Sequence, residues 1–309
     1  MPFTTNLSGT AQVDDSIRIE YDQQFIIAAA QEQVMDQFVS YKKQIDAKSI
    51  DFEKYSQLSL ATTPLVEVDD PVSEAMVDAN ILLTPEEYGN VVTTTKLANL
   101  QTGGKADLAA ARLVGLNMGR TLDKLAVLAA EASGNELFAG NATSEATIDA
   151  ADVMDVSFLN KLYNKLARQS VQPLSDGMYV AIMHDDVIHD LRNSSGAGSW
   201  QDIKKYTDPS QILRNEVGQI AGFKIIRDNH ISINTDAGAT TVDTYHTLCM
   251  GFNALGKAVS KEPGMVASGP FDKLGRFVNL GWYGVVKYGI IDSDALFLGT
   301  SASSIGANA

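Results

Sequence analysis

Apolar positions along the chain change period several times, and each change predicts an element. From Tyr21 to Gln44 and just beyond, Ile27, Ala30, Val34, Phe38, Tyr41 and Ile45 recur three or four apart, which predicts one amphipathic helix. Residues 105–132 give the strongest helical signal: they hold no proline, and Leu108, Ala111, Gly115, Met118, Leu122, Leu125 and Ala129 alternate steps of three and four. Thr102-Gly103-Gly104 supplies its start and Ser133-Gly134 its stop. At 1.5 Å per residue this helix is roughly 40 Å long, and it needs an equally long surface to pack against. A further helix is expected with Ser157 as its cap and Leu159, Leu162 and Leu166 on one face. A short one follows Asp185, its expected cap, and carries Ile188 and Leu191.

Strand signals lie between these helices. Leu58-Ser59-Leu60 and Val91 to Thr95 suit strands, as do the buried-looking run Met178 to Met183, Gly222 to Ile226 and Tyr245 to Phe252. Phe277 to Leu298 alternates glycine, aromatic and β-branched residues and reads as a pair of strands. Residues 1–20 read as a polar arm, 193–199 as a Ser/Gly loop, 200–215 as partly helical and 232–241 as a polar loop. No repeat of 20–50 residues is visible. The long helix and Phe277 to Leu298 are both apolar without another obvious partner. Leu108, Met118, Leu122 and Leu125 are therefore expected to pack near Trp282 and Val285-Val286.

Composition narrows the class. The chain has 309 residues, 45% hydrophobic and 20% charged, which is a globular balance. No apolar run approaches the ~18 residues that span a bilayer, and the N-terminal stretch lacks a basic region followed by an apolar one, so no secretory signal is expected. The single Cys249 excludes an internal disulfide and a thiolate-rich zinc site, and the sequons at Asn6, Asn141 and Asn193 read as chance matches.

Net charge is -14, and it is unevenly spread: residues 1–100 hold 6 basic and 16 acidic side chains, whereas residues 201–309 hold 10 of each. Nothing here resembles the basic face that grips phosphates. The chain could enclose nucleic acid but is not built to bind it tightly. Within residues 46–100, Pro64, Pro71 and Pro85 break regular structure and no Lys or Arg occurs between Lys54 and Lys96. That interval carries Glu67, Asp69, Asp70, Glu74, Asp78, Glu86 and Glu87. It reads as an extended two-stranded loop, poor in large apolar side chains, that relies on a surface outside itself. Basic candidates for that surface are Lys161, Lys165 and Arg168, and the Lys204-Lys205 pair.

Catalytic signals are weak. His184 and His189 stand five apart, whereas helical metal pairs stand four apart. No G-x-S-x-G elbow supports a Ser-His-Asp triad. Cys249 lies in an apolar strand and reads as an inert core thiol. Gly115 and Gly119 have a superficial phosphate-loop spacing but lie inside the long helix, where they allow close approach of another element. Glu67, Asp69 and Asp70 lack the oxygen spacing of a calcium loop. The expectation is no catalytic, cofactor-binding or metal residue, no cofactor, and no enzyme.

Three stretches resemble one family, the major capsid proteins of tailed bacteriophages. Tyr179-Val180-Ala181-Ile182-Met183-His184, with Leu191 and Trp200, resembles a strand, an "I-H-P", a "D-L" helix and an aromatic loop, with Asp185 in place of the proline. Asn215 to Ile226 is similar to "G-E-I-G-x-I-x-G-x-x-I-I", departing at Asn215. Asp272-Lys273-Leu274-Gly275-Arg276 followed by Gly281-Trp282 resembles "D-P-L-G-R…G-W-K", departing at Lys273 and Tyr283. The motifs cover residues 179–298; the remainder matches in layout.

The resemblance implies an α+β fold with a long spine helix, an extended E-loop and a mixed α/β A-domain. It implies an N-arm at 1–45, the E-loop and flanking strands at 46–100, the P-domain with its spine helix at 101–154, the A-domain at 155–270 and P-domain return strands at 271–309. It further implies self-assembly into hexamers and pentamers of an icosahedral shell around double-stranded DNA. Scaffolding and portal proteins would be partners, the virion the location and the host bacterial cytoplasm the place of synthesis, with no membrane partner. No ~100-residue helical extension precedes residue 21, so a separate scaffolding protein is expected rather than one in the chain. Two alternatives stay open: a soluble α/β hydrolase or transferase with an unrecognised site, and an encapsulin-type shell protein with an enzyme as cargo.

Overall fold

The computed structural model describes residues 22–30, 32–45, 47–56, 58–65, 67, 70–174, 177–194, 218–268, 272 and 274–305. The predicted arm, the 195–215 segment with Trp200 and Lys204-Lys205, Asp69 and Lys273 lie outside the described residues.

Two mixed sheets share a single long helix, and one hairpin packs beside the first sheet. The first sheet has the order β1–β11–β12–β4, formed by Ser40–Lys43, Leu255–Ser268, Phe277–Ile290 and Glu86–Thr95. Strand β1 runs parallel to β11, and the remaining pairs are antiparallel. The second sheet has the order β5–β13–β10–β6–β8–β7, formed by Glu136–Phe138, Leu296–Ser301, Thr244–Met250, Tyr179–Met183, Phe223–Arg227 and Gln219–Ile220; β9 (Ile233–Asn234) also pairs with β10. The hairpin pairs β2 (Ile50–Tyr55) with β3 (Asp78–Leu83). The helices are α1 over 22–30, α2 (Lys96–Gln101), α3 (Lys105–Glu131), α4 (Val156–Arg168) and α5 (Asp185–Asn193).

Helix α3 is the predicted long helix, and its buried face follows the sequence stripe through Ala111, Gly115, Met118 and Leu122. Toward its C-terminus burial moves to Ala126, Val127 and Ala130, leaving Leu125 half-buried. Met118 and Leu122 join Trp282 and Val286 of β12 in the main core, as expected, while Leu108 is only half-buried. The same core takes Val180, Ile182, Leu248 and Leu298 from one face of the second sheet. Alternation sends Tyr179, Ala181 and Met183 to the opposite face, where Phe158, Leu159, Leu162 and Leu166 of α4 and Ile188 and Leu191 of α5 cover them.

Several expectations are corrected. The predicted 21–44 helix does not continue: Asp123 Oδ1 accepts the N–H groups of Val34 and Met35 at 2.8 Å each, diverting donors a helix would have used. The chain then pairs as β1, and Ile27, Tyr41 and Ile45 of the supposed stripe are exposed. Leu58 to Leu60 is not a strand, because Glu74 takes the Ser59 N–H and hydroxyl. Asp155 rather than Ser157 caps α4, accepting Phe158 N–H at 2.6 Å, and His184 rather than Asp185 caps α5. Strand β11 had no sequence expectation, and it runs through Pro263-Gly264. Pro263 sits where the β11–β12 pairing slips between Lys261 and Gly264, so its missing N–H costs no ladder bond. The strand expected at the end of Phe277 to Leu298 is β13, which joins the second sheet and not β12.

Candidate functional site

The hairpin is built to project. At its base Ile50, Phe52 and Leu83 pack with Ala258 and Ile291, and Lys54 pairs with Asp292 at 2.6 Å. Strand pairing stops at Tyr55 and Asp78, and the connection between them carries exposed Leu58, Leu60, Leu65, Val72 and Met76. Val72 is 97% exposed and Leu60 86%. The expectation of few large apolar side chains here is therefore corrected: they are present, but no described part of the chain covers them. Leaving this much apolar surface in water is costly at ~25 cal/mol per Å2, and such patches mark interaction surfaces. Glu67 and Asp70 are exposed on the same connection, and Glu74 is held below the usual carboxylate range by its hydrogen bonds to Ser59.

The expected basic candidates on α4 are available. Leu159, Leu162 and Leu166 face the core, which leaves Lys161, Lys165 and Arg168 exposed on the outer face. The 3.6-residue repeat that gathers the three leucines on one face sets these three side chains away from it.

The titratable side chains considered from sequence are dispersed. His184 Nδ1 accepts the Asp186 N–H at 3.2 Å, whereas His189 is exposed beside Asn193. Cys249 is fully buried, and burial pushes its thiol well up from the usual range, away from nucleophile chemistry. Gly115 and Gly119 face the α1 backbone, as close-approach positions should. A groove of about 750 Å3 lies beside the hairpin base, lined by Lys54, Gln172, Phe252 and Asp292 among others, with no histidine or cysteine in its wall.

One cluster was missed. Asp123 of α3 meets His230 at 2.9 Å and lies beside Asp228, both from the segment after β8. Burial, and then the neighbouring Asp123 carboxylate, push Asp228 up to about 7. Asp123 is far in sequence from Asp228 and His230, and no spacing along the chain brings them together.

No protein-family model matches the sequence, and no curated protein matches it. Solved structures do. The capsid of Ralstonia phage GP4 superposes with a TM-score of 0.70 at 15% identity, covering 88% of this chain and 92% of that one. The chain has the tailed-phage capsid fold. The cyanophage Pam1 capsid gives 0.67 at 13% identity over 90% and 93% of the two chains. A virus-like particle from Pyrococcus furiosus gives 0.54 at 9% identity over 91% and 97%. The superpositions cover 88–91% of the chain in these three comparisons.

Proposed function

We propose that this chain is a structural major capsid protein that self-assembles into hexamers and pentamers of an icosahedral shell enclosing double-stranded DNA. The observation that carries this reading is the hairpin with its uncovered apolar tip, on a chain with the tailed-phage capsid fold. A neighbouring subunit is the surface that such a loop requires. Many repeated contacts of this kind, each modest, act together once the shell closes.

The proposed division is an N-arm at 1–45, an E-loop region at 46–100, a P-domain at 101–154 with α3 as spine, an A-domain at 155–270 and return strands at 271–309. Scaffolding and portal proteins would be assembly partners, and DNA would be enclosed without tight binding. The protein would be made in the host bacterial cytoplasm and end in the virion. Its role is structural rather than enzymatic, with no cofactor. Among the described residues no helix is long and apolar enough to cross a membrane.

Similarity to the Pyrococcus particle keeps a second reading, an encapsulin-type shell holding an enzyme as cargo. Electron microscopy of the purified protein tests the shell, and the content of particles purified from the native source separates the two readings. Closed particles with DNA support the first; closed particles packed with one enzyme support the second.

A further inference from the structure

The Asp123, Asp228 and His230 cluster has the organisation of a built site. Their ligand atoms lie within 4.8 Å of one another. Each side chain is held from outside by one atom. Asp123 Oδ1 accepts the Val34 and Met35 N–H groups at 2.8 Å, and Asp228 Oδ1 accepts the His230 N–H at 2.8 Å. His230 Nε2 faces Glu32 Oε2 at 3.7 Å, and Arg120 holds that same Glu32 carboxylate through Nε and Nη2. What remains inside is Asp123 Oδ2, Asp228 Oδ2 and His230 Nδ1. Nδ1 stands 2.9 Å from Asp123 Oδ2 and 3.2 Å from Asp228 Oδ1. The side chain of Asp123 is 0% exposed and that of Asp228 1%. Asp228 Oδ2 is buried with no hydrogen-bond partner.

Two carboxylates facing each other out of water need positive charge between them. A proton on His230 Nδ1 is directed to Asp123 and leaves Asp228 Oδ2 unmet. We propose that Asp123 Oδ2, Asp228 Oδ2 and His230 Nδ1 bind one divalent transition-metal ion of the Zn2+ class. The chemistry selects that class: an imidazole nitrogen suits it, and three protein ligands are too few for Ca2+, which takes about 6–8 oxygens. The 2.9 Å from Nδ1 to Asp123 Oδ2 is within about half an ångström of the roughly 3.3 Å that bonds of about 2.0–2.1 Å set between neighbours around a tetrahedral ion. Glu32, held by Arg120 and 3.7 Å from Nε2, stands where a carboxylate commonly orients a metal-bound imidazole. The half-open side of His230, 24% exposed, leaves a position for water. The ion would tie together α3, the segment after α1 and the segment after β8, and so act on the stability of the subunit. This holds whether or not the chain forms shells.

The test uses the full chain, stripped with chelator and titrated with Zn2+, with bound metal measured after ultrafiltration and the unfolding temperature recorded alongside. The expected result is about one ion per chain with a raised unfolding temperature, and at least a tenfold loss of affinity in Asp228→Asn. His189→Ala, at an exposed histidine outside the cluster, should bind as wild type. If Asp228→Asn does not fold, His230→Gln gives the same readout. No stoichiometric binding by the wild-type chain, or undiminished binding in the folded cluster variant, overturns the proposal. A wild-type chain that binds no ion beside an Asp228→Asn variant of raised stability assigns the pair a shared proton instead, and overturns it too.

Discussion

Gly115 of α3 lies against Phe25 of α1 so closely that a methyl group on its Cα would stand 2.5 Å from the Phe25 carbonyl oxygen. One turn further on, Gly119 has the same relation to Ala29. The two glycines let the α1 backbone settle on α3, with Phe25, Ala28 and Ala29 buried. Gly115→Ala gains up to about 1 kcal/mol of helix propensity but meets backbone that cannot rotate away, an overpacking cost of about 1–3 kcal/mol. The expected outcome is local: hydrogen exchange over 22–30 accelerates while exchange in the centre of α3 stays slow. Unchanged protection of 22–30 would contradict the close packing.

Leu122 is 1% exposed and packs in the same core as Trp282 and Val286. Leu122→Ala should cost about 2–5 kcal/mol, the range for a buried leucine. Leu108, half-buried near the start of α3, should lose less. Denaturant unfolding of an assembly-blocked subunit measures both, and a wild-type midpoint for Leu122→Ala would remove α3 from the core.

Replacing Leu60 and Val72 together by serine should leave subunit stability within about 0.5 kcal/mol, since both side chains are exposed. Assembly should nevertheless fail. Normal assembly of the double variant would mean that the hairpin tip contributes nothing between subunits.

Charge should act on the same loop. Neutralising Glu67, Asp69 and Asp70 together should lower assembly yield, and rising salt should do likewise, because exposed charges are screened within roughly 8–10 Å. Reversing Lys161, Lys165 and Arg168 to glutamate should mimic it if α4 is the partner face. Yield that ignores both changes leaves the apolar contacts alone responsible.

With 16 acidic and 6 basic side chains in its first 100 residues, the chain should not hold duplex DNA at physiological salt. A fluorescence titration showing micromolar affinity would favour a nucleic-acid-binding role.

Legibility followed the range of the forces involved. Helix α3, the leucine face of α4, and strands β6, β8, β10 and β12 were readable because period and burial act within one element. The end of α1 was not, because Asp123, almost ninety residues away, captures the N–H groups of Val34 and Met35. Strand β11 was not readable, because it runs through Pro263-Gly264, which breaks the strand pattern in sequence but is absorbed by a slip in register against β12. The Asp123, Asp228 and His230 cluster depends on a meeting of two distant segments, and no spacing along the chain announces it.

Sedimentation of the purified full chain tests the central claim most directly. Very large closed particles are expected, and they should disappear in the Leu60 and Val72 double variant, which then sediments as folded subunits or small capsomers. A wild-type chain that stays a monomer or small oligomer under all assembly conditions, salt and scaffolding partner included, would contradict it.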